Sequence, residues 1–279
     1  MAIWLNGAVL PDDQAKVSVF DHGLVTGDGV FETVKVGAGV MFALSRHLER
    51  LHRSALGLGL PEPDLDQIRA AAHAVVEAAA SAPGGPPPLA RLRITITAGR
   101  APLGSERGAS QPSVIVAMAS HPAPDPTIDV VTVPWPRNER GALAGLKTTS
   151  YAENVRALAY AKECGGGEAI FGNIAGQLCE GSGTNVFVVT GGRLMTPALR
   201  SGCLAGVTRS LVLEWCGAEE EDLPLAALAH ADEAFLSGTT RDVQPIRMAD
   251  GVPLAAAPGP VTAKAAQTFA LRSAESADP

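Results

Sequence analysis

The sequence predicts an α+β chain built as two domains. Three observations carry that expectation. Strand-like alternation and helical periodicity are mixed in both halves, without the regular βαβ succession of a parallel sheet. The segment His121-Pro-Ala-Pro-Asp-Pro126 is proline-rich and reads as a stiff connector. A length of 279 residues suits two medium domains, each able to bury a core. The expected division is a small domain over residues 1–120, a linker over 121–126 and a larger domain over 127–279.

In chain order, Ile3-Trp4-Leu5 and Val9-Leu10 flank the turn signal Asn6-Gly7. Val30 to Val36 and Val40 to Leu44 flank Gly37-Ala38-Gly39 and predict a hairpin. Ser45 is a candidate cap for a helix from Arg46 to about Leu58, stopped by Gly59 and Pro61. An alanine-rich helix follows from Asp64 to about Ala80, then a Gly/Pro break to Pro88. Ala90 to Thr97 alternates, with Leu92, Ile94 and Ile96 on one face and Arg91, Arg93, Thr95 and Thr97 on the other. Pro112 to Ala119 reads as another strand. The second half offers strands at Ile128–Val133, Glu168–Phe171, Asn185–Val189 and Ala234–Leu236. Its helices run from Ser150 to Glu163, ended by a triple glycine, and from Gly206 to Trp215.

Composition excludes several classes. The net charge is -7, with Lys+Arg 22 against Asp+Glu 29, so no basic surface suggests nucleic acid. No apolar run approaches a membrane span, and Met1 to Gly7 lacks the pattern of a signal peptide. The cysteines, Cys164, Cys179, Cys203 and Cys216, are scattered and never at C-x-x-C spacing, so a reduced, cytoplasmic setting is expected. The P-loop, the dinucleotide fingerprint, the G-x-S-x-G elbow and H-E-x-x-H are all missing. His47 and His52 share a helix face poorly, and no metal site is expected.

Lysine is scarce beside arginine. Lys147 follows the apolar, flexible Gly141-Ala-Leu-Ala-Gly-Leu146 and precedes Thr148-Thr149-Ser150. Partial desolvation there lowers an amine's pKa and makes it nucleophilic; a surface lysine before a helix is the plain alternative. Three further segments bear on the choice. Glu180 stands alone in Glu180-Gly-Ser-Gly-Thr184-Asn185. Gly206-Val207-Thr208-Arg209 opens a helix with glycine and a hydroxyl, a setting suited to phosphate. Ser237-Gly238-Thr239-Thr240 is a second hydroxyl-rich turn. A candidate Schiff-base lysine, an isolated acid and two phosphate cradles form the parts of a pyridoxal-phosphate site.

At this point the sequence resembles a known family, the class IV aminotransferases, or fold-type IV pyridoxal-phosphate enzymes. The family includes branched-chain and D-amino acid aminotransferases and 4-amino-4-deoxychorismate lyases. The resemblance spans nearly the whole chain. It rests on six ordered blocks: Asp21 to Thr33 with Gly27-Asp28-Gly29-Val-Phe31-Glu32, His47-Leu-Glu-Arg50-Leu51, Leu146-Lys147-Thr-Thr, Glu180 to Phe187, Gly206-Val-Thr208-Arg209, and Ser237-Gly-Thr-Thr240.

The resemblance implies an N-terminal α/β sandwich and a C-terminal barrel-like domain that carries the Schiff-base lysine. It implies pyridoxal 5'-phosphate as cofactor, an amino donor and a 2-oxo acid acceptor as substrates, and a homodimer. Lys147 is implied as the covalent and proton-shuttling residue. Glu180 is implied as the acid at the pyridine nitrogen, and Arg50, Val207, Thr208 and Thr239 as phosphate ligands. On local grounds alone, Arg50 would be a helix-surface ion pair with Glu49 or Asp21. Phe31, Arg93, Thr240 and Arg241 are the implied substrate contacts. The Arg-x-His carboxylate trap of D-amino acid aminotransferases is replaced by Arg100-Ala-Pro-Leu103-Gly-Ser105. Phe31 also stands where that group has tyrosine. Gly27-Asp28-Gly29 and Leu143-Ala-Gly-Leu-Lys147 are similar to the lyases, which release pyruvate and p-aminobenzoate, so the lyase is the alternative to the transaminase. A non-catalytic homologue is the remote third, and it conflicts with the retained Lys147 and phosphate cradles.

Overall fold

The computed structural model describes residues 2–279. Contacts divide the chain into two compact units. The first comprises the chain up to Ala123 together with Leu146–Tyr151 and Ala277–Pro279; the second comprises Pro124–Gly145 and Ala152–Ser276.

The first unit contains strands β1 (Ala2–Leu5) and β2 (Ala8–Pro11), the single-turn helix α1 (His22–Val25), and strands β3 (Gly29–Gly37) and β4 (Val40–Met41). Helices α2 (Leu44–Leu58) and α3 (Leu65–Ala80) follow, then strands β5 (Leu89–Thr97) and β6 (Ser113–Ser120). The six strands form one antiparallel sheet in the order β2-β1-β6-β5-β3-β4. Alternation decides its faces. Val30, Val34 and Val36 of β3 join Leu92, Ile94 and Ile96 of β5 in a core with Leu48, Leu51 and Ala55 of α2 and Ile68, Ala72 and Val75 of α3. Phe31, Thr33, Arg93 and Thr95 therefore share the opposite face, in the registers Phe31↔Thr95 and Thr33↔Arg93. This is the expected α/β sandwich.

Two local expectations change. Helix α2 begins one residue before Ser45, with Ala43 at its cap in the left-handed region and no side-chain cap of its own. Ser45 instead donates its backbone N–H and its hydroxyl to Asp278 (2.9 and 2.5 Å), which supplies the missing acceptor at the helix start. The Lys147 segment, expected in the second domain, belongs to the first unit. Strand β4 is too short to cover β3, pairing only Val36 and Gly37. The Gly29–Phe31 end of that edge is taken by residues 147–149, through the bridge Val30↔Thr148 and the bonds Phe31 N–H to Lys147 O (3.0 Å) and Thr149 N–H to Gly29 O (2.8 Å). An unpaired inner strand edge carries obligatory hydrogen-bonding groups, and this segment satisfies them.

The second unit opens with β7 (Ile128–Thr132), α4 (Ala152–Glu163), β8 (Glu168–Gly172), β9 (Leu178–Gly181), β10 (Asn185–Thr190) and β11 (Arg193–Pro197). It continues with α5 (Val207–Cys216), β12 (Glu219–Glu221), β13 (Glu233–Gly238), β14 (Asp242–Ala249), β15 (Val252–Pro253) and α6 (Pro260–Glu275). Nine strands form a half-barrel sheet in the order β12-β11-β10-β13-β14-β7-β8-β9, with β15 paired to β14. Val186, Val188, Leu236, Ile170, Leu178 and Ile246 fill one core, and the Phe187 and Phe235 rings stack 4.7 Å apart across β10 and β13. The expected helix from Ser150 starts at Ala152, because residues up to Tyr151 are engaged in the first unit.

Candidate active site

In the first unit the chemistry begins with Glu32. Its place on the helix-facing side of β3 puts a carboxylate in an apolar core, where it needs cationic partners. Positions three apart on α2 provide them. Arg50 donates Nε to Oε1 (2.7 Å) and Nη2 to Oε2 (2.8 Å), and His47 donates Nδ1–H to Oε2 (2.7 Å). All three residues are buried. Burial alone pushes Glu32 up, but the Arg50 charge and hydrogen bonds, followed by His47, outweigh it and hold the carboxyl far below the ordinary range. Burial lowers His47, and the nearby Arg50 and Lys147 charges add to that, so the imidazole stays neutral despite Glu32. The ion pair of Arg50 is therefore with Glu32, rather than with Glu49 or Asp21. Asp21 instead caps Gly23 and accepts from Thr97 and Ser113.

Lys147 is held from both sides by its backbone. Its carbonyl accepts from Phe31, and its N–H donates to Ser54 Oγ (3.2 Å), one turn beyond Arg50 on α2. Its neighbour Leu146 sits on Gly57, where an added Cβ would lie 2.6 Å from Leu146 Cδ2. A glycine inside α2, normally destabilising, here makes room for the lysine's strand. The Lys147 Nζ lies 4.4 Å from the centre of the Phe31 ring and 5.9 Å from that of Tyr151. Phe31 and Tyr151 meet edge to face at 5.3 Å, and the Arg93 guanidinium carbon lies 3.8 Å from the Phe31 ring centre. Burial pulls the Arg93 pKa down, and its side chain donates Nε to Thr95 Oγ1 (3.2 Å). Phe31, Arg93 and Lys147 thus come together as expected, with Tyr151 added.

In the second unit, Glu180 lies on β9. Its Oε2 accepts from Leu204 N–H (2.8 Å), and its Oε1 is 3.3 Å from Arg137 Nε. Arg137 stacks on Phe171 (4.0 Å to the ring centre) and donates to Glu153 (2.5 Å) and Asn154 (3.3 Å). The start of α5 has no side-chain cap, and Val207 and Thr208 there are buried. Asn185 fixes the approach to it: its Nδ2 donates to Leu204 O (2.8 Å), and its Oδ1 would lie 2.0 Å from a Cβ at Gly206. Thr239 and Thr240 occupy the turn from β13 to β14, closed by Arg241 N–H to Gly238 O (3.0 Å). Arg241 is turned back within its own unit, donating to Gln244 Oε1 (2.5 Å) with Glu168 Oε2 at 3.5 Å.

Sequence reasoning passed over Glu32, His47, Glu168 and Asn185 as functional residues, and Ser54 and Arg137 altogether. The alternation of β3 offered a signal for Glu32, since it places an acid on the apolar face.

These groups fit pyridoxal phosphate. The Thr184 and Ser237 hydroxyls are buried without a hydrogen-bond partner, and α5 starts uncapped. Such donors suit a phosphate ester. Lys147 supplies an amine beside aromatic rings, and Glu180 a carboxylate. Comparison with known proteins agrees. The profile of amino-transferase class IV matches residues 29–249. A Methanocaldococcus jannaschii protein with the provisional name branched-chain-amino-acid aminotransferase is 34% identical over 263 residues, covering 90% of this chain and 88% of its own. The D-alanine aminotransferase of Bacillus licheniformis is 28% identical over 275 residues, covering 94% and 93%. The crystal structure of the Thermoproteus uzoniensis branched-chain aminotransferase with norvaline superposes with a TM-score of 0.88 at 31% identity, covering 97% of this chain and 93% of that one. The chain belongs to the class IV aminotransferases and is a pyridoxal-phosphate-dependent enzyme of that family.

Proposed function

We propose that the enzyme moves the amino group of an apolar α-amino acid onto a dicarboxylic 2-oxo acid, with Arg93 receiving the second carboxylate. The observation that carries this reading is the Arg93 guanidinium: desolvated, stacked on Phe31 beside Lys147, and without an acidic partner among the described residues. A desolvated guanidinium pairs strongly with a carboxylate, while the Phe31 ring and the alkyl stem of Arg93 suit an apolar side chain. The Thermoproteus uzoniensis structure holds norvaline, an amino acid with such an apolar side chain.

When bound, pyridoxal phosphate supplies an electrophilic carbon and a ring that drains electrons from the substrate Cα. In this reading Lys147 is the residue that bonds the cofactor and then carries the proton to and from Cα. Its backbone anchors at Phe31 and Ser54 keep the amine in place for that transfer. Glu180, oriented by Leu204 N–H and Arg137, holds a proton on the ring nitrogen. Val207, Thr208 and Thr239 donate to the phosphate. Arg50 joins them, with Glu32 fixing the plane of its guanidinium. Thr240 and Arg241 lie next to Thr239 on the same turn, on the substrate side in this reading. The exposed apolar run Val17, Val19, Phe20 and Leu24 supports a homodimer, which light scattering tests, and the four free cysteines support a cytoplasmic setting.

The decisive assay is amino transfer from a panel of L- and D-amino acids to 2-oxoglutarate and to 4-methyl-2-oxopentanoate, beside p-aminobenzoate release from aminodeoxychorismate. Arg93→Leu is expected to raise KM for 2-oxoglutarate about tenfold or more, the worth of a charge-assisted bond, and to leave the apolar oxo acid nearly unchanged. An equal loss for both acceptors removes Arg93 from the substrate contacts. Turnover confined to p-aminobenzoate release replaces the transaminase by the lyase.

A further inference from the structure

Glu168 is a buried carboxylate that the reading above leaves without a task. It begins β8, and two loops of the second unit converge on it. One is the turn that follows Glu180. Glu168 Oε1 accepts the backbone N–H of Ser182 (3.0 Å), a short bond from the Ser182 hydroxyl, and the N–H of Ala169 (3.3 Å). The carbonyl of Ser182 is held in turn by Asn154 Nδ2 (2.6 Å), and Gly181 N–H closes the turn on Thr184 O (2.8 Å). The other loop carries Thr239 and Thr240. Its last residue, Arg241, lies 3.5 Å from Glu168 Oε2 and donates to Gln244, whose own Nε2 bonds Asp125 O (2.7 Å).

We infer that Glu168 is a positioning residue: one buried carboxylate sets both the turn carrying Ser182 and Thr184 behind Glu180 and the turn carrying Thr239 and Thr240. The physical case rests on its charge. A buried carboxylate is costly unless it is both paired and hydrogen-bonded. The Ser182 bonds alone ask only for a neutral acceptor, which glutamine provides. Among the described residues, Arg241 is the cation paired with Glu168. Removing the charge therefore leaves the Ser182 turn held and releases the Arg241 turn. The two turns flank the paired strands β10 and β13, in register Asn185↔Ser237, and beyond that pairing Gly238 approaches Thr184 by van der Waals contact, a Cβ there lying 3.2 Å from Thr184 Cγ2. The inference rests on the proposal that Glu180 and Thr239 touch the cofactor.

The experiment is a titration of apo-enzyme with pyridoxal phosphate, without substrate, followed by absorbance and alongside the melting temperature of the apo form. Glu168→Gln is expected to raise the cofactor dissociation constant about tenfold, the size of one lost charge-assisted bond, and to alter the absorption band of the bound form. Arg241→Gln keeps every Ser182 bond and is expected to give the same shift. The double variant is expected to be no worse than either single, because both remove one interaction. A purely structural Glu168 lowers the apo melting temperature but leaves the dissociation constant and the band as in the wild type, and that result overturns the inference. If Glu168→Gln does not fold, Arg241→Gln decides alone: an unchanged dissociation constant overturns it. Thr239→Val and Glu180→Gln in the same titration keep the two levels apart. If they are silent in both affinity and spectrum, the site reading fails; if they respond while Glu168→Gln is silent, only the positioning role fails.

Discussion

The two units hold their polar residues in opposite ways. In the first, a charged pair, Glu32 and Arg50, is locked together with the neutral His47 inside an apolar core. In the second, they are mostly neutral donors on turns and at a helix start, and two of them, the Thr184 and Ser237 hydroxyls, have no hydrogen-bond partner among the described residues. Locked charges determine geometry and respond strongly to deletion, since a survivor is left buried and unpaired. Unsatisfied donors contribute little to the fold and, in the reading proposed, bind the anion. Stability is therefore expected to depend on the first cluster, and ligand response on the second.

The largest expected effect is at Lys147. Lys147→Ala should lower amino transfer by about a thousandfold or more, within the range for losing a positioned acid–base group, while the chain stays folded. Its backbone bonds survive the change, so circular dichroism and the melting curve should be near wild type. Retention of more than a few per cent of activity moves the assignment to another lysine, Lys162 on α4 being the next in the chain.

Glu32→Ala sharpens the contrast. It strands Arg50 and His47 in the core, and urea unfolding should show a loss of about 3–5 kcal/mol, the usual result of breaking a buried pair. Arg50→Ala should behave alike, leaving Glu32 unpaired, so cofactor affinity in that variant must be measured on folded protein. A loss below about 1 kcal/mol would mean that the cluster is wetter than its burial implies.

That cluster also shows where the sequence was legible and where it stopped. The alternation of Ala90–Thr97 placed Arg93 opposite the core, and the spacing of small residues marked the turns after Glu180 and Ser237. Those are local signals, and the structure keeps them. Arg50 was different: helix-neighbour logic offered Glu49 or Asp21, whereas the partner is Glu32, on a strand that α2 covers. A pairing across a sheet–helix layer leaves no mark in local spacing. The same holds for the Lys147 segment, whose unit is decided by how short β4 is. Strand β9 went unassigned because Leu178-Cys-Glu-Gly181 is too short and too mixed to alternate, and its pairing with β8 supplies what its own pattern lacks. Strand β14 and helix α6 were likewise unassigned.

Glu180→Gln probes the other unit. Glutamine can still accept from Leu204 N–H but cannot balance a protonated ring nitrogen. The stability change should be small and the cofactor affinity little altered, because the phosphate donors are untouched. Single-turnover rates on cofactor-loaded enzyme should fall about tenfold or more, ten being the factor for each 1.4 kcal/mol of lost transition-state stabilisation. The steady-state signature is a lower kcat with KM changed much less. A wild-type single-turnover rate returns Glu180 to a mere turn-capping acid.

The smallest effect is a pH dependence in which two buried histidines of the first unit pull in opposite directions. His47 is lowered from its usual 6.5, by burial first and then by the Arg50 and Lys147 charges, against the pull of Glu32. The unfolded chain thus binds a proton at a pH where the folded one does not. His47 contributes stability above about pH 6.5, and that contribution erodes as the pH falls toward the folded value. Glu32, also depressed, adds a second loss that begins below its ordinary range near 4.5. His22 has the reverse sign. The hydrogen bond to Asp28 (2.9 Å) and the one to Gly104 O (2.9 Å) raise it, outweighing burial and the Arg107 charge, because acceptors at both nitrogens favour the doubly protonated ring. Its stabilisation is complete below about pH 6.5 and is lost as the pH rises through the folded value. Titrating the six histidines by NMR reads both directly, His22 above 6.5 and His47 below it. Stability against pH should then lose its decline above pH 6.5 in His22→Asn, and flatten below pH 6.5 in His47→Asn wherever that variant stays folded. If both rings titrate on the same side of 6.5, the opposed shifts fail, and with them the claim that the hydrogen-bond partners of His22 outweigh its burial.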